Sequence, residues 1–168
     1  MKKIAMVLFG MALVLPAIVF PAGASAAAAQ ENGAAFSEAE GKEWFLAEVK
    51  SSGGTIRMDR RKLAADNMGE VFSINFQKDR EKNTNRASGM GAPNRYFAPY
   101  TAGGNKALKI ENVASTMMAA FKEPDGLKES EFFAYLSKVT RWDLREMRLE
   151  LYTSNANGRE VVLIFTPR

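Results

Sequence analysis

The chain is predicted to be mainly β (α+β): a curved antiparallel sheet or small barrel, with one helix from the C-terminal half packed across it. Three observations in its 168 residues predict this. Phe72, Ile74 and Phe76 alternate with Ser73, Asn75 and Gln77, which puts three large apolar groups on one face of a strand. Seven or eight short segments of this kind are separated by turn residues, among them Ser51-Ser52-Gly53-Gly54, Gly103-Gly104 and Asn155-Ala156-Asn157-Gly158. Only Leu127 to Val139 changes period, with Phe132, Phe133, Leu136 and Val139 at helical spacing.

Residues 1–26 read as a secretory signal peptide. Met1-Lys2-Lys3 is basic, Ile4 to Val19 is apolar with Pro16 inside it, and Ala24-Ser25-Ala26 offers small residues for cleavage. A lipoprotein would need a cysteine at the cleavage point, and there is none. The expected location is therefore the periplasm or the outside of the cell, with no membrane span after cleavage. Residues 27–41, rich in Ala, Gly and Glu without an apolar period, read as a disordered tether, and residues 42–167 as the domain.

Within the domain, Trp44 to Val49 is the first apolar segment, and Thr55 to Asp59 is a strand with Ile56 and Met58 inward. Asp59-Arg60-Arg61-Lys62 reads as a solvated turn. Glu70 to Gln77 is the central strand, since burying its three large side chains contributes about 1.5–3 kcal/mol each. Lys78 to Arg86 is a charged loop or guarded edge, and Gly89-Met90-Gly91 a turn. Arg95 to Thr101 and Lys106 to Ile110 are strands, followed by the extended segment Val113 to Met118. Asp125 is placed as the helix N-cap, with Glu129 and Glu131 in early turns where the helix dipole favours acids. Arg141 to Leu144, Met147 to Thr153 and Arg159 to Thr166 close the chain as strands, with Met147, Leu149 and Leu151 on one face. Val161 to Phe165 is continuously apolar and should be covered on both faces.

Composition excludes several chemistries. There is no Cys and no His, so disulfides, thiol nucleophiles, Cys/His zinc sites and His-dependent triads are absent. No loop has calcium-binding spacing. Twenty-three basic against 19 acidic residues leave +4, or 21 against 19 once Lys2 and Lys3 are set aside, which is too little bias for a nucleic-acid partner. Gly89-Met90-Gly91 does not suit a phosphate loop, because Pro93 removes a donor and strand follows instead of helix. Asn94 fits a residue that fixes its own turn through side-chain hydrogen bonds. Of Tyr96, Phe97 and Tyr100, two should face the core. Of Met117 and Met118, one should be buried. The acids Asp59, Asp66, Glu70, Glu129 and Glu131 have no spacing that converges a general acid and base. No catalytic, cofactor or metal residue is assigned, and no cofactor is expected.

Two segments carry a resemblance. Gly89-x-Gly91-Ala92-Pro93-Asn94-Arg95-Tyr96-Phe97-Ala98-Pro99-Tyr100 and Ser115-Thr116-Met117-Met118-Ala119-Ala120 resemble, in order, the two signature segments of META domains, the family that includes the bacterial heat-shock protein HslJ. The family's glycine is Ala98 here, and its two cysteines are Pro93 and Ala120. If those cysteines pair in relatives, losing both together is coherent, and positions 93 and 120 would be neighbours. The resemblance makes Gly89, Gly91, Asn94, Tyr96, Tyr100, Thr116 and Met118 structural motif residues. It implies a secreted or outer-envelope domain with a curved antiparallel sheet, linked to stress response, antibiotic tolerance, motility or virulence, and it carries over no enzymatic activity, since none is established for the family. The expected function is a monomeric module that binds or stabilises another envelope component. The alternative is a carrier of a small apolar ligand, held in a cavity beside Phe72, Ile74 and Phe76.

Overall fold

The computed structural model describes residues 36–79, 84–119, 124 and 126–168. The signal-peptide reading, residues 27–35 of the tether, Ala120 and Asp125 lie outside these residues.

Ten strands are present among the described residues: β1 (Glu43–Ser51), β2 (Gly54–Arg57), β3 (Ser73–Asp79), β4 (Thr84–Met90), β5 (Arg95–Ala102), β6 (Leu108–Ile110), β7 (Ala114–Ser115), β8 (Arg141–Arg145), β9 (Arg148–Ser154) and β10 (Glu160–Pro167). Two helices lie wholly among the described residues, α1 (Arg60–Ala65) and α2 (Glu129–Leu136). Every strand pair is antiparallel, in the order β6-β5-β4-β3-β1-β10-β9-β8, with β2 beside β1 and β7 beside β5. The two ends of this path meet: Leu108 N–H donates to Thr140 O at 3.1 Å and Trp142 N–H to Lys106 O at 3.0 Å. The sheet is thus a nearly closed barrel, which removes most of the free edge an open sheet would present. No helix among the described residues is long and apolar enough to cross a membrane.

The alternation that predicts β3 is realised for Ile74 and Phe76; the strand begins at Ser73, itself buried, and Phe72 precedes it with a φ of 53°. Phe72, Ile74 and Phe76 are fully buried in one core with Trp44, Leu46, Tyr96, Tyr100, Trp142, Leu149, Leu151, Leu163 and Phe165. The two outward residues of the continuous run in β10 split, Ile164 being buried and Val162 half-buried. Helix α2 lays Phe132 and Leu136 on the barrel, with the Phe132 ring 5.1 Å from Phe72 and 5.9 Å from Tyr96.

Several expectations are corrected. Asp59 to Lys62 is not a turn: Asp59 is an N-cap, its carboxylate accepting from the N–H groups of Arg61 and Lys62 at 3.0 Å, and α1 follows with only Leu63 buried. Of the charged stretch Lys78 to Arg86, Lys78 and Asp79 end β3 and residues 84–86 begin β4, which pairs with both β3 and β5; residues 80–83 lie outside the described residues. Gly89 and Met90 end that strand, so the turn starts at Gly91. Met147 is exposed in a two-residue hairpin turn, where Glu146 and Met147 have φ of 46° and 63°. The N-cap of α2 is Lys128, whose N–H donates to Glu131 Oε2 at 3.2 Å. Both Met117 and Met118 are exposed.

The segment read as a tether is also corrected from residue 36 onward. Phe36 and Ala39 are buried. The Phe36 ring lies 5.1 Å from Phe76, 5.6 Å from Tyr100 and 4.9 Å from Trp142. Trp44 Nε1 donates to Ala39 O at 2.9 Å, and Gly41 N–H to Phe76 O at 2.8 Å. Tyr100 Oη donates to Glu40 Oε1 at 2.7 Å, and burial, then this carboxylate, pushes the phenol well above its ordinary pKa.

Candidate binding face and the loop clasp beside it

The seven motif residues fall into three places. Four of them build a clasp. Asn94, buried in the turn between β4 and β5, uses its whole side chain. Its Oδ1 accepts from Thr116 Oγ1 at 2.8 Å and Met118 N–H at 2.7 Å. Its Nδ2 donates to Met118 O at 3.1 Å and Glu129 Oε2 at 2.6 Å. The amide thereby pairs with the Met118 backbone as a neighbouring strand would. Glu129 completes the clasp, its Oε1 accepting from the N–H groups of Ala92 at 2.5 Å and Asn94 at 2.6 Å. Gly91 is required by space: a Cβ there would lie 2.5 Å from Glu129 Oε1 and 2.6 Å from Phe133 Cζ. The Ala92–Pro93 bond in this turn is cis.

Gly89 and Tyr96 form the second place. A Cβ on Gly89 would lie 2.1 Å from Ser73 O, the same carbonyl to which Tyr96 Oη donates at 2.8 Å. Tyr100, the third, is the wall against which Phe36 packs. The expected proximity of positions 93 and 120 falls on Ala120, outside the described residues, but the two signature segments do meet, through Asn94 and Met118.

The acids are spread among structural duties. Asp59 caps α1, Glu70 pairs with Arg168, Glu129 holds the clasp and Glu131 caps α2. Among the described residues no group of His, Cys, Asp or Glu is arranged to hold a metal. Asp143 is buried on β8. Burial pushes its carboxyl up, but hydrogen bonds from Lys106 and Arg145 outweigh this and hold it below its ordinary pKa.

A different surface has the character of a binding site: the outer face of β3, β4 and β5. The registers set Glu43, Asn75, Ser88, Phe97 and Ala114 in one row across β1, β3, β4, β5 and β7. The next row holds Gln77, Arg86 and Pro99, and on the other side Met90 faces Arg95. A groove of about 290 Å³ runs over this face, lined by Glu43, Glu70, Asn75, Gln77, Ser88 and Arg95. The Oδ1 of Asn75 is buried there without a hydrogen-bond partner. Phe97 is 49% exposed, with the Arg86 guanidinium 4.7 Å from its centroid. At the β1 end, Arg168 pairs with Glu70 and lies 4.9 Å over Phe45, which Arg60 covers at 5.2 Å. Burial lowers the Arg60 pKa to about 10, and Arg168 adds to the effect.

Alternation in the sequence assigns Asn75 and Gln77 outward, and the expectation that one of the three aromatics lies outside the core is met by Phe97. The role of Glu129 is missed, because its partners are backbone groups 35 and 37 residues away.

The META domain family model matches residues 37–166. The chain belongs to the META domain family. An NMR structure of a protein from Burkholderia xenovorans is similar, with TM-score 0.56 and 21% identity over 82% of this chain and 88% of that one. A crystal structure of a DUF4847 family protein from Bacteroides vulgatus has TM-score 0.49 and 13% identity over 79% of this chain and 96% of that one. A search of curated proteins finds no significant match.

Proposed function

From a META-domain barrel with a packed interior and a polar groove outside it, we propose an exported, non-enzymatic, stress-related module that binds another component of the cell envelope through the outer face of β3–β5. The observation that carries this is the groove itself, which Asn75 lines with a buried amide oxygen that lacks a partner, two strands from the half-exposed Phe97 in the same row. Buried polar atoms are normally satisfied, so an unpartnered one lining a concave surface suits a ligand group. The leader pattern of residues 1–26 supports export. The alternative, a carrier with an apolar interior, needs room beside Phe72, Ile74 and Phe76, where the rings of Phe132 and Phe36 already sit about 5.1 Å away.

The test is site-specific photo-cross-linking in cells, with benzoylphenylalanine at Phe97 or Gln77 and, as control, at Arg57 on β2. Discrete adducts from the first two positions in the envelope fraction, and none from the third, are expected. Equal labelling from all three, or recovery of the protein in the cytoplasm with residues 1–26 attached, would overturn the reading.

A further inference from the structure

Resting on that assignment of the binding face, we infer that the groove takes a neutral carbohydrate chain. Three features of the face converge on this chemistry. The first is the type of hydrogen-bonding group. Asn75 and Gln77 present both donors and acceptors, Ser88 does both at one atom, and Glu43 accepts. A sugar hydroxyl also donates and accepts at one atom, so adjacent hydroxyls match this set.

The second is charge. Glu70 is held by Arg168, whose guanidinium also feels Glu43, and Arg86 lies over Phe97. The face is close to balanced and offers no single-sign field for a polyanion or polycation.

The third is what the backbone withholds. β3 lies between β1 and β4, and β4 between β3 and β5, so the main-chain groups under the groove are spent in the sheet ladder. An extended peptide binds best by adding to a free edge, which β4 and the Ser73–Asn75 part of β3 lack. The ligand must be read by side chains alone. Phe97 stands two strands from Asn75 in the same row, about 10 Å away at the usual strand spacing. Its exposed ring gives an apolar platform for the C–H face of a pyranose one residue along from the ring that satisfies Asn75. The groove volume is at the small end for ligand sites, as suits one or two sugar rings on an open face.

The experiment is an amide NMR titration of the protein beginning at Ala27 with chitohexaose, cellohexaose and maltohexaose in turn. With at least one of them, shifts should centre on Asn75, Gln77, Ser88 and Phe97. Asn75→Ala and Phe97→Ala should each raise Kd about tenfold or more while keeping the dispersion and melting of a folded protein. Because the ligand is neutral, 0.5 M NaCl should change Kd less than twofold. No shift with any of the three, shifts centred elsewhere, or a tenfold loss in salt would overturn the inference. A protein adduct at Phe97 without saccharide shifts overturns the carbohydrate assignment and leaves the binding face standing. Loss of both removes the face as well.

Discussion

Glu129 and Asp143 are carboxylates that each join distant parts of the chain, and they do so with different partners. Glu129 accepts from two backbone N–H groups and the Asn94 amide, all fixed by the turn that carries them. Asp143 has a side chain 3% exposed and accepts from one backbone donor, Leu144 N–H at 3.0 Å, but the partners that join it to the seam, Lys106 and Arg145, are 41% and 76% exposed on flexible stems. Backbone donors cannot swing out to water when their acceptor is lost, whereas solvated cations can. The clasp should therefore be stiff and insensitive to salt. The ion cluster, at the seam where Trp142 bonds back to Lys106, should be softer and screened.

Removing the carboxylate from the clasp tests the larger side of this contrast. Glu129→Ala strands two N–H groups and one amide, and is expected to cost about 3–5 kcal/mol in chemical denaturation, unchanged in 1 M NaCl. A loss under 1 kcal/mol would mean that water replaces the carboxylate freely. Next in size, Asn94→Asp keeps the shape but sets a second carboxylate 2.6 Å from the Glu129 position. About 3 kcal/mol should be lost at pH 7 and partly regained on acidification, because protonating either acid relieves the repulsion. Melts that run parallel to wild type from pH 7 to 4 would sink this account.

Asp143→Asn should cost less, about 1–2 kcal/mol at pH 7, discounted because its cationic partners are solvated. The sign follows from a folded pKa below the unfolded one. The stabilisation is present above the unfolded value of about 3.9 and fades as pH falls through the lower folded value. Variant and wild type should therefore converge in acid, and their gap at pH 7 should shrink in 1 M NaCl; a salt-independent gap would place Asp143 with Glu129. The smallest effect is expected for Glu131→Ala, two residues from Glu129 on the same helix. It loses one cap bond at 3.2 Å and should cost about 0.5–1 kcal/mol. A loss matching Glu129→Ala would show that helix capping, and not the clasp, sets the stability of this end.

What the sequence reveals follows from where period and size coincide. β3 announces itself because its inner positions hold Ile74 and Phe76, with the buried Phe72 just before it in the same alternation. β4 lies beside it and is silent, because its buried inward residue is Ala87 and the next is Gly89, small where Ser73 approaches. An alternation of small and polar residues looks like loop. Phe36 is a single aromatic among Ala, Gly and Glu, and one residue has no period. The signature segments identify the family and mark Asn94, but not the acid that holds it, because backbone N–H groups leave no trace in residue identity. The proposed binding face is half legible. Asn75 and Gln77 are outward by alternation, while the groove depends on register across four strands.

The place of Phe36 bears on the order in which this chain assembles. It precedes every described strand, yet the rings that enclose it come from Phe76, Tyr100 and Trp142, the last 106 positions later. Whichever way the polypeptide is delivered, N-terminus first, the segment that arrives earliest finds its seat only after β8 has arrived. Long sequence separation of this kind slows folding, because the chain entropy is lost before the contact is gained. The first residues of the domain therefore act as its last fastening, and a copy ending before Trp142 would leave them without one wall of their socket.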